Sequence, residues 1–240
     1  MMKLLAHSSA ATLALALAAC GTAETSEPAP SASDAPATEV EENVGFGAVA
    51  DVETATYSLE RTHAFLYIEV GHGGGISNYR VDFLDFDADL AFDAAAPAES
   101  QLSVTINPAL VQTNYPGDYK AGHADSPYET WDEDISRNER WLNSDAFPEI
   151  SFTSTDIVRT GEDTGEVKGD LTFLGTTQNI TLDVSFGGVA NPPWFAGRDV
   201  IGFNATTTLL RSDFGMSALI PGITDDVTVS FSGEFLQDEA

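Results

Sequence analysis

The stretch "TLLRSDFGMS" (Thr208–Ser217) holds a charged pair where an apolar one belongs. Stepping back in twos from Arg211 passes Leu209, Thr207, Ala205, Phe203 and Ile201, which is the inner face of a strand with period 2. Asp213 occupies the next same-side position. A guanidinium is tolerated there with a carboxylate partner and poorly without one, so Arg211 and Asp213 are expected to form a salt bridge that clamps the turn Phe214-Gly215-Met216. The other use of such a pair is as a polar anchor for a ligand's head.

Metal chemistry would draw on the four histidines. His63 and His72 lie nine residues apart in one apolar-alternating run, which at strand rise separates them by about 30 Å. They are expected at opposite ends of a strand, as hydrogen-bonding groups near a mouth. His123 falls in an irregular connection without a visible partner. "DFLDFDADLAFD" is calcium-like in composition but lacks the turn glycine of an EF-hand and alternates like a strand, so its aspartates are read as facing solvent. No metal or other cofactor is expected.

Catalytic signatures are absent. Cys20 is the only cysteine, and neither a Gly-x-Ser-x-Gly elbow nor a His-Glu-x-x-His helix occurs. With 38 acidic residues some two carboxylates will be neighbours, which leaves a glycosidase-like pair open; the chain is nevertheless read as a binding protein and not an enzyme.

The elements that must position these groups begin after a leader. "MMKLLAHSSAATLALALAAC" combines an early lysine, an Ala/Leu core and small residues before Cys20, the order of parts in a secretory signal peptide. Residues 1–19 are therefore expected to be removed. Leu17-Ala18-Ala19-Cys20-Gly21 resembles the bacterial lipobox, which implies lipidation of Cys20, membrane attachment through it and a cell-envelope location: the periplasm, at the outer membrane. Residues 20–43, rich in Ala, Pro, Ser and Glu, lack the apolar side chains that offset ordering entropy and are read as a stalk. Residues 44–240 form the folded domain.

A formal charge of −28 with no basic stripe argues against nucleic acid as a partner. Period-2 runs recur along the domain, among them "HAFLYIEVGH", "QLSVTIN", "NITLDVSFGG" and "DVTVSFSGEF", separated by glycine and polar turns. They predict an all-β antiparallel domain of about eight strands, as a sandwich or a barrel, with closure favoured because it removes edges. Small residues at Ala88, Gly169, Ala205 and Gly233 would make room inside. One segment, Asn114 to Glu149, breaks the alternation. Within it "TWDEDISRNERWL" predicts a short helix in a long connection that caps one end.

The pieces "YSLERTHAFLYIEVGH", "FDADLAFD", "SDAFPEISFTST", "VKGDLTFLGTTQNITLDVSF" and "GFNATTTLLRSDFGM", in this order from Tyr57 to Phe235, resemble the YceI-like family of exported bacterial proteins. Ala64 stands where that family usually has serine, and the connection after Asn114 is longer than usual. The resemblance implies an extended lipocalin-like barrel holding a long apolar molecule, with polyisoprenoids or polyprenyl quinones as the associated ligands. The same-parity residues expected to line it are Leu66, Ile68, Val70, Leu90, Phe92, Ile106, Phe152, Leu171, Phe173, Leu182, Val184, Phe203, Leu209, Val229 and Phe231. The polar groups expected at its mouth are His63, His72, Arg211 and Asp213. The alternative is a packed core in a ligand-free envelope interaction or stress-adaptation module that uses Trp131, Trp141 and Trp194 as contacts. A homodimer is compatible with either.

Overall fold

The computed structural model describes residues 48–239. The leader, the Cys20 lipidation site and the stalk lie outside the described residues. Ten strands follow one another: β1 (Ala55–His72), β2 (Ser77–Phe83), β3 (Phe86–Phe92), β4 (Gln101–Ile106), β5 (Val111–Gln112), β6 (Ile150–Arg159), β7 (Thr164–Phe173), β8 (Thr176–Ala190), β9 (Val200–Leu210) and β10 (Ile223–Gln237).

The order β10-β9-β8-β7-β6-β4-β3-β1, closed by a β10–β1 pairing, makes an eight-strand antiparallel barrel with β2 and β5 as additions. A barrel therefore forms, and the sandwich alternative does not. β1 is long enough to serve two neighbours: Ala55–Ser58 pair with β3, and Leu66–His72 pair with β2. β2 and β3 are in effect one strand kinked at Leu84-Asp85.

Alternation drives the closure. In β3, Phe86, Ala88 and Leu90 are buried while Asp87, Asp89 and Ala91 are exposed, so one face of each strand adds to a shared core and the aspartates are hydrated. Turn chemistry sets the register. Between β7 and β8 the two-residue turn Leu174-Gly175 has positive φ at both positions (49° and 73°), the type I′ geometry whose twist matches the flanking strands. Gly175 also packs under Phe147, whose ring would lie 2.8 Å from an added Cβ.

The long connection carries a single turn, α1 (Tyr119–Gly122), and the expected helix, α2 (Trp131–Arg137). Thr130 caps α2 by accepting the Glu133 N–H at 3.1 Å. Asp132, Glu133 and Asp134 occupy its first turn and Arg137 its last, matching the helix dipole at both ends.

Candidate lipid-binding cavity

Two apolar chambers lie end to end inside the barrel. The upper one, about 120 Å³, sits where β6 ends and β7 begins, and is walled by Leu90, Phe92, Ile157, Val167, Val184, Phe186 and Phe203. The lower one, about 210 Å³, is walled by Leu66, Ile68, Ile106, Phe152, Leu171, Phe173, Leu209 and Val229.

Leu102, Leu182, Ala205, Phe231 and Phe235 line both chambers and form a waist. Rings pack across this waist in a chain: Phe86 on Phe231 (6.4 Å between centroids), Phe231 on Phe235 (6.1 Å), Phe235 on Phe203 (6.1 Å) and Phe203 on Phe92 (5.8 Å). Most of these contacts are edge-to-face, the arrangement favoured by the ring quadrupole.

Of the residues expected to line the interior, all but Val70 border a chamber. Val70 pairs with Tyr79 of β2 and Val227 of β10, beside a register shift at the end of β1. The expected lining did not include Phe83, at the end of β2, or Leu142, Phe214 and Met216, which reach the lower chamber from connections. Two of the small residues have another role than leaving space. A Cβ on Gly169 would meet the Phe152 ring at 2.4 Å, and one on Gly233 would meet the Phe231 ring at 2.6 Å. These glycines seat the rings. Ala205 borders open space in both chambers.

The lower end is closed by Arg211, and not in the way the sequence suggests. β9 stops at Leu210 and the chain enters a 3-10 turn, Arg211–Phe214, so period 2 no longer carries Asp213 to the same side. Asp213 is exposed and forms no ion pair with Arg211. Arg211 is 4% exposed. Its Nε, Nη1 and Nη2 donate to the carbonyls of Thr224 (2.8 Å), Met216 (3.1 Å) and Ile223 (2.9 Å). The clamp is thus between side chain and backbone. Burial pulls the Arg211 pKa down, against the opposing pull of Asp225. Asp225 accepts the Ser212 N–H at 2.9 Å and Oγ–H at 2.7 Å. Those bonds hold its carboxyl below the usual aspartate value.

The upper end is where polar groups border the apolar space. Arg159, Glu162 and Asp163, on and beside the β6–β7 turn, are exposed and line the upper chamber. Nothing in their spacing marks them, because a hairpin turn is polar whether or not a chamber opens beside it. His72 ends β1 next to a glycine turn, exposed and away from both chambers. His63 lies on the outer wall, 2.5 Å from a Glu60 carboxylate oxygen. Burial would raise the Glu60 pKa, but hydrogen bonds from Thr62 and His63 outweigh it and hold the carboxyl low. The expectation that the two histidines sit at opposite ends of a strand holds for His72 alone: β1 runs on past His63 in both directions, and His63 lies mid-strand in the bulge between Glu60 and Ala64, away from either mouth.

The tryptophans differ from one another. Trp131 packs edge-on against Tyr119 (5.2 Å) and His123 (4.9 Å) and, like Trp141, is half-buried, whereas Trp194 is 77% exposed.

Comparison with known proteins points one way. The model of the YceI-like domain matches residues 57–235. A UPF0312 protein of Pseudomonas putida (strain GB-1) is 35% identical over 184 residues, covering 75% of this chain and 86% of the relative. A UPF0312 protein of Pseudomonas savastanoi pv. phaseolicola is 36% identical over 177 residues, covering 72% and 82%. Among solved structures, the Campylobacter jejuni YCEI protein is 28% identical with a TM-score of 0.56, covering 68% of this chain and 88% of that one. A polyisoprenoid binding domain from Saccharophagus degradans shares the fold at 14% identity, with a TM-score of 0.53 and coverage of 77% and 99%.

Proposed function

The chain belongs to the YceI-like family, and from that premise we propose that it binds one long isoprenoid chain, a polyprenyl or quinone-type lipid, noncovalently inside the barrel. The observation that carries this reading is the pair of apolar chambers in line, bordered by exposed charges at the upper end only. The binding energy is removal of apolar surface from water, about 0.8 kcal/mol per buried methylene. A chain of repeated apolar units therefore binds well with few polar contacts. Its tail lies toward Arg211 and its head toward Arg159, Glu162 and Asp163.

The name of the Saccharophagus degradans neighbour supports the ligand class, and the almost wholly apolar surface that faces both chambers supports a binding role without catalysis. In this reading the protein stores or carries the lipid in the cell envelope, tethered through Cys20. The test replaces Leu182, at the waist, by tryptophan. The folded variant is expected to lose uptake of a polyprenol or ubiquinone from solution while the wild type loads one per chain; undiminished loading of Leu182→Trp would refute the placement.

A further inference from the structure

Glu60 of β1 and Glu234 of β10 are register partners on the outer wall. Like charges set directly opposite in a sheet are destabilising, so the pair calls for a cation. The nearest one in sequence, Arg61, is turned away and bonds Asp85. What approaches instead is His63.

A bulge brings it there. Glu60 pairs with Glu234 and Ala64 pairs with Gly233, so Arg61, Thr62 and His63 are extra on β1. The bulge folds His63 over the two carboxylates, with Nδ1 2.5 Å from Glu60 Oε2 and 3.8 Å from Glu234 Oε2. One nitrogen and two carboxylate oxygens all lie within 4.8 Å of one another. Neighbouring donors in a tetrahedral site with bonds of 2.0–2.2 Å are about 3.4 Å apart. The present separations of 2.5 and 3.8 Å from His63 Nδ1 bracket that spacing, and the His63 side chain, 60% exposed, is not packed in place. Beside them a groove of about 410 Å³, bordered by Thr62, His63 and Glu234, opens to solvent and leaves room for a water ligand.

We propose that Glu60, His63 and Glu234 bind one divalent transition-metal ion on the outer wall of the barrel. The imidazole selects against calcium and magnesium, which take oxygen ligands, and the His-carboxylate set suits Zn²⁺. The ion would join β1 to β10, the seam at which the first and last strands close the barrel. It would then act as a staple, since anything that binds only the folded state stabilises it. The site is separate from the chambers and does not depend on lipid binding.

The test is titration of the tag-free full chain with Zn²⁺ alone in physiological salt, read by calorimetry and by the melting temperature. One equivalent is expected to bind and to raise the melting point. Losing an outer-sphere partner already weakens metal sites about 10-fold to 100-fold, so His63→Ala and Glu234→Gln are each expected to weaken binding by more than about tenfold. The double variant His72→Asn/His123→Asn serves as a control for adventitious histidine binding and is expected to match the wild type. Absence of a stoichiometric site in the wild type, or affinity unchanged in a folded His63→Ala chain, would overturn the proposal and leave His63 as a hydrogen-bond partner of Glu60.

Discussion

The two ends of the barrel each carry an arginine beside an apolar chamber, and the two are used in opposite ways. Arg159 at the upper end is exposed and, among the described residues, bonds only to carbonyls of its own turn, those of Gly161 and Glu162. Arg211 at the lower end is buried and ties three carbonyls of the segment that returns into β10. Arg159 thus ties the hairpin only to itself, whereas Arg211 ties the turn after β9 to β10. In the proposed function this difference gives the cavity a direction, with entry at the hairpin and closure at the clamp.

The largest effect should come from breaking the clamp. Arg211→Ala removes three hydrogen bonds made by a charged group and leaves sheltered carbonyls unpaired, at a cost of at least about 3 kcal/mol. Arg159→Ala, an exposed change, is expected to stay within about 0.5 kcal/mol. Equilibrium urea unfolding of both variants checks the contrast, and equal losses would erase it.

A smaller effect, of about 2 kcal/mol, is expected for Phe231→Ala, because the ring faces chamber space and loses fewer contacts than a sealed core residue would. Its larger consequence is for ligand choice: the waist widens, the chambers merge, and mass spectrometry of the loaded protein should show bulkier or longer chains than the wild type retains. An unchanged ligand profile would show that the waist does not select.

The smallest concerns acid. The folded-state pKa of Asp225 is lowered, chiefly by the Ser212 hydrogen bonds. Its contribution is therefore fully present above the ordinary aspartate value of 3.8 and is lost as pH falls from there toward the folded value. Asp225→Asn should be less stable than the wild type at neutral pH, with the gap closing in that acid window. A gap that is constant with pH would assign the loss to something other than the charge.

Much of the barrel was legible in the sequence because one-sided burial writes itself as period 2, and Leu66, Phe173, Leu182 and Phe203 follow from that alone. The helix at Trp131 was legible through the roughly helical spacing of Trp131, Ile135 and Trp141/Leu142. The lower clamp was only half legible. A buried Arg211 is visible as a charge in an apolar series, but its partners are backbone carbonyls, which have no sequence signature, and the 3-10 turn breaks the parity that pointed to Asp213. The Glu60, His63 and Glu234 cluster was hidden for a related reason. A three-residue bulge changes the face on which His63 lies, and Glu234 comes from the far end of the chain. Glycines at 169 and 233 read as space, although neighbouring rings occupy it.

The central claim is that the two chambers together hold one isoprenoid lipid. The most direct measurement is native mass spectrometry, with organic extraction of the bound fraction, on the protein purified from its own cells without detergent. One polyprenyl or quinone species per chain is the expected result. A clean apo mass that persists after incubation with polyprenols and quinones would contradict it and leave the barrel as a packed, ligand-free module.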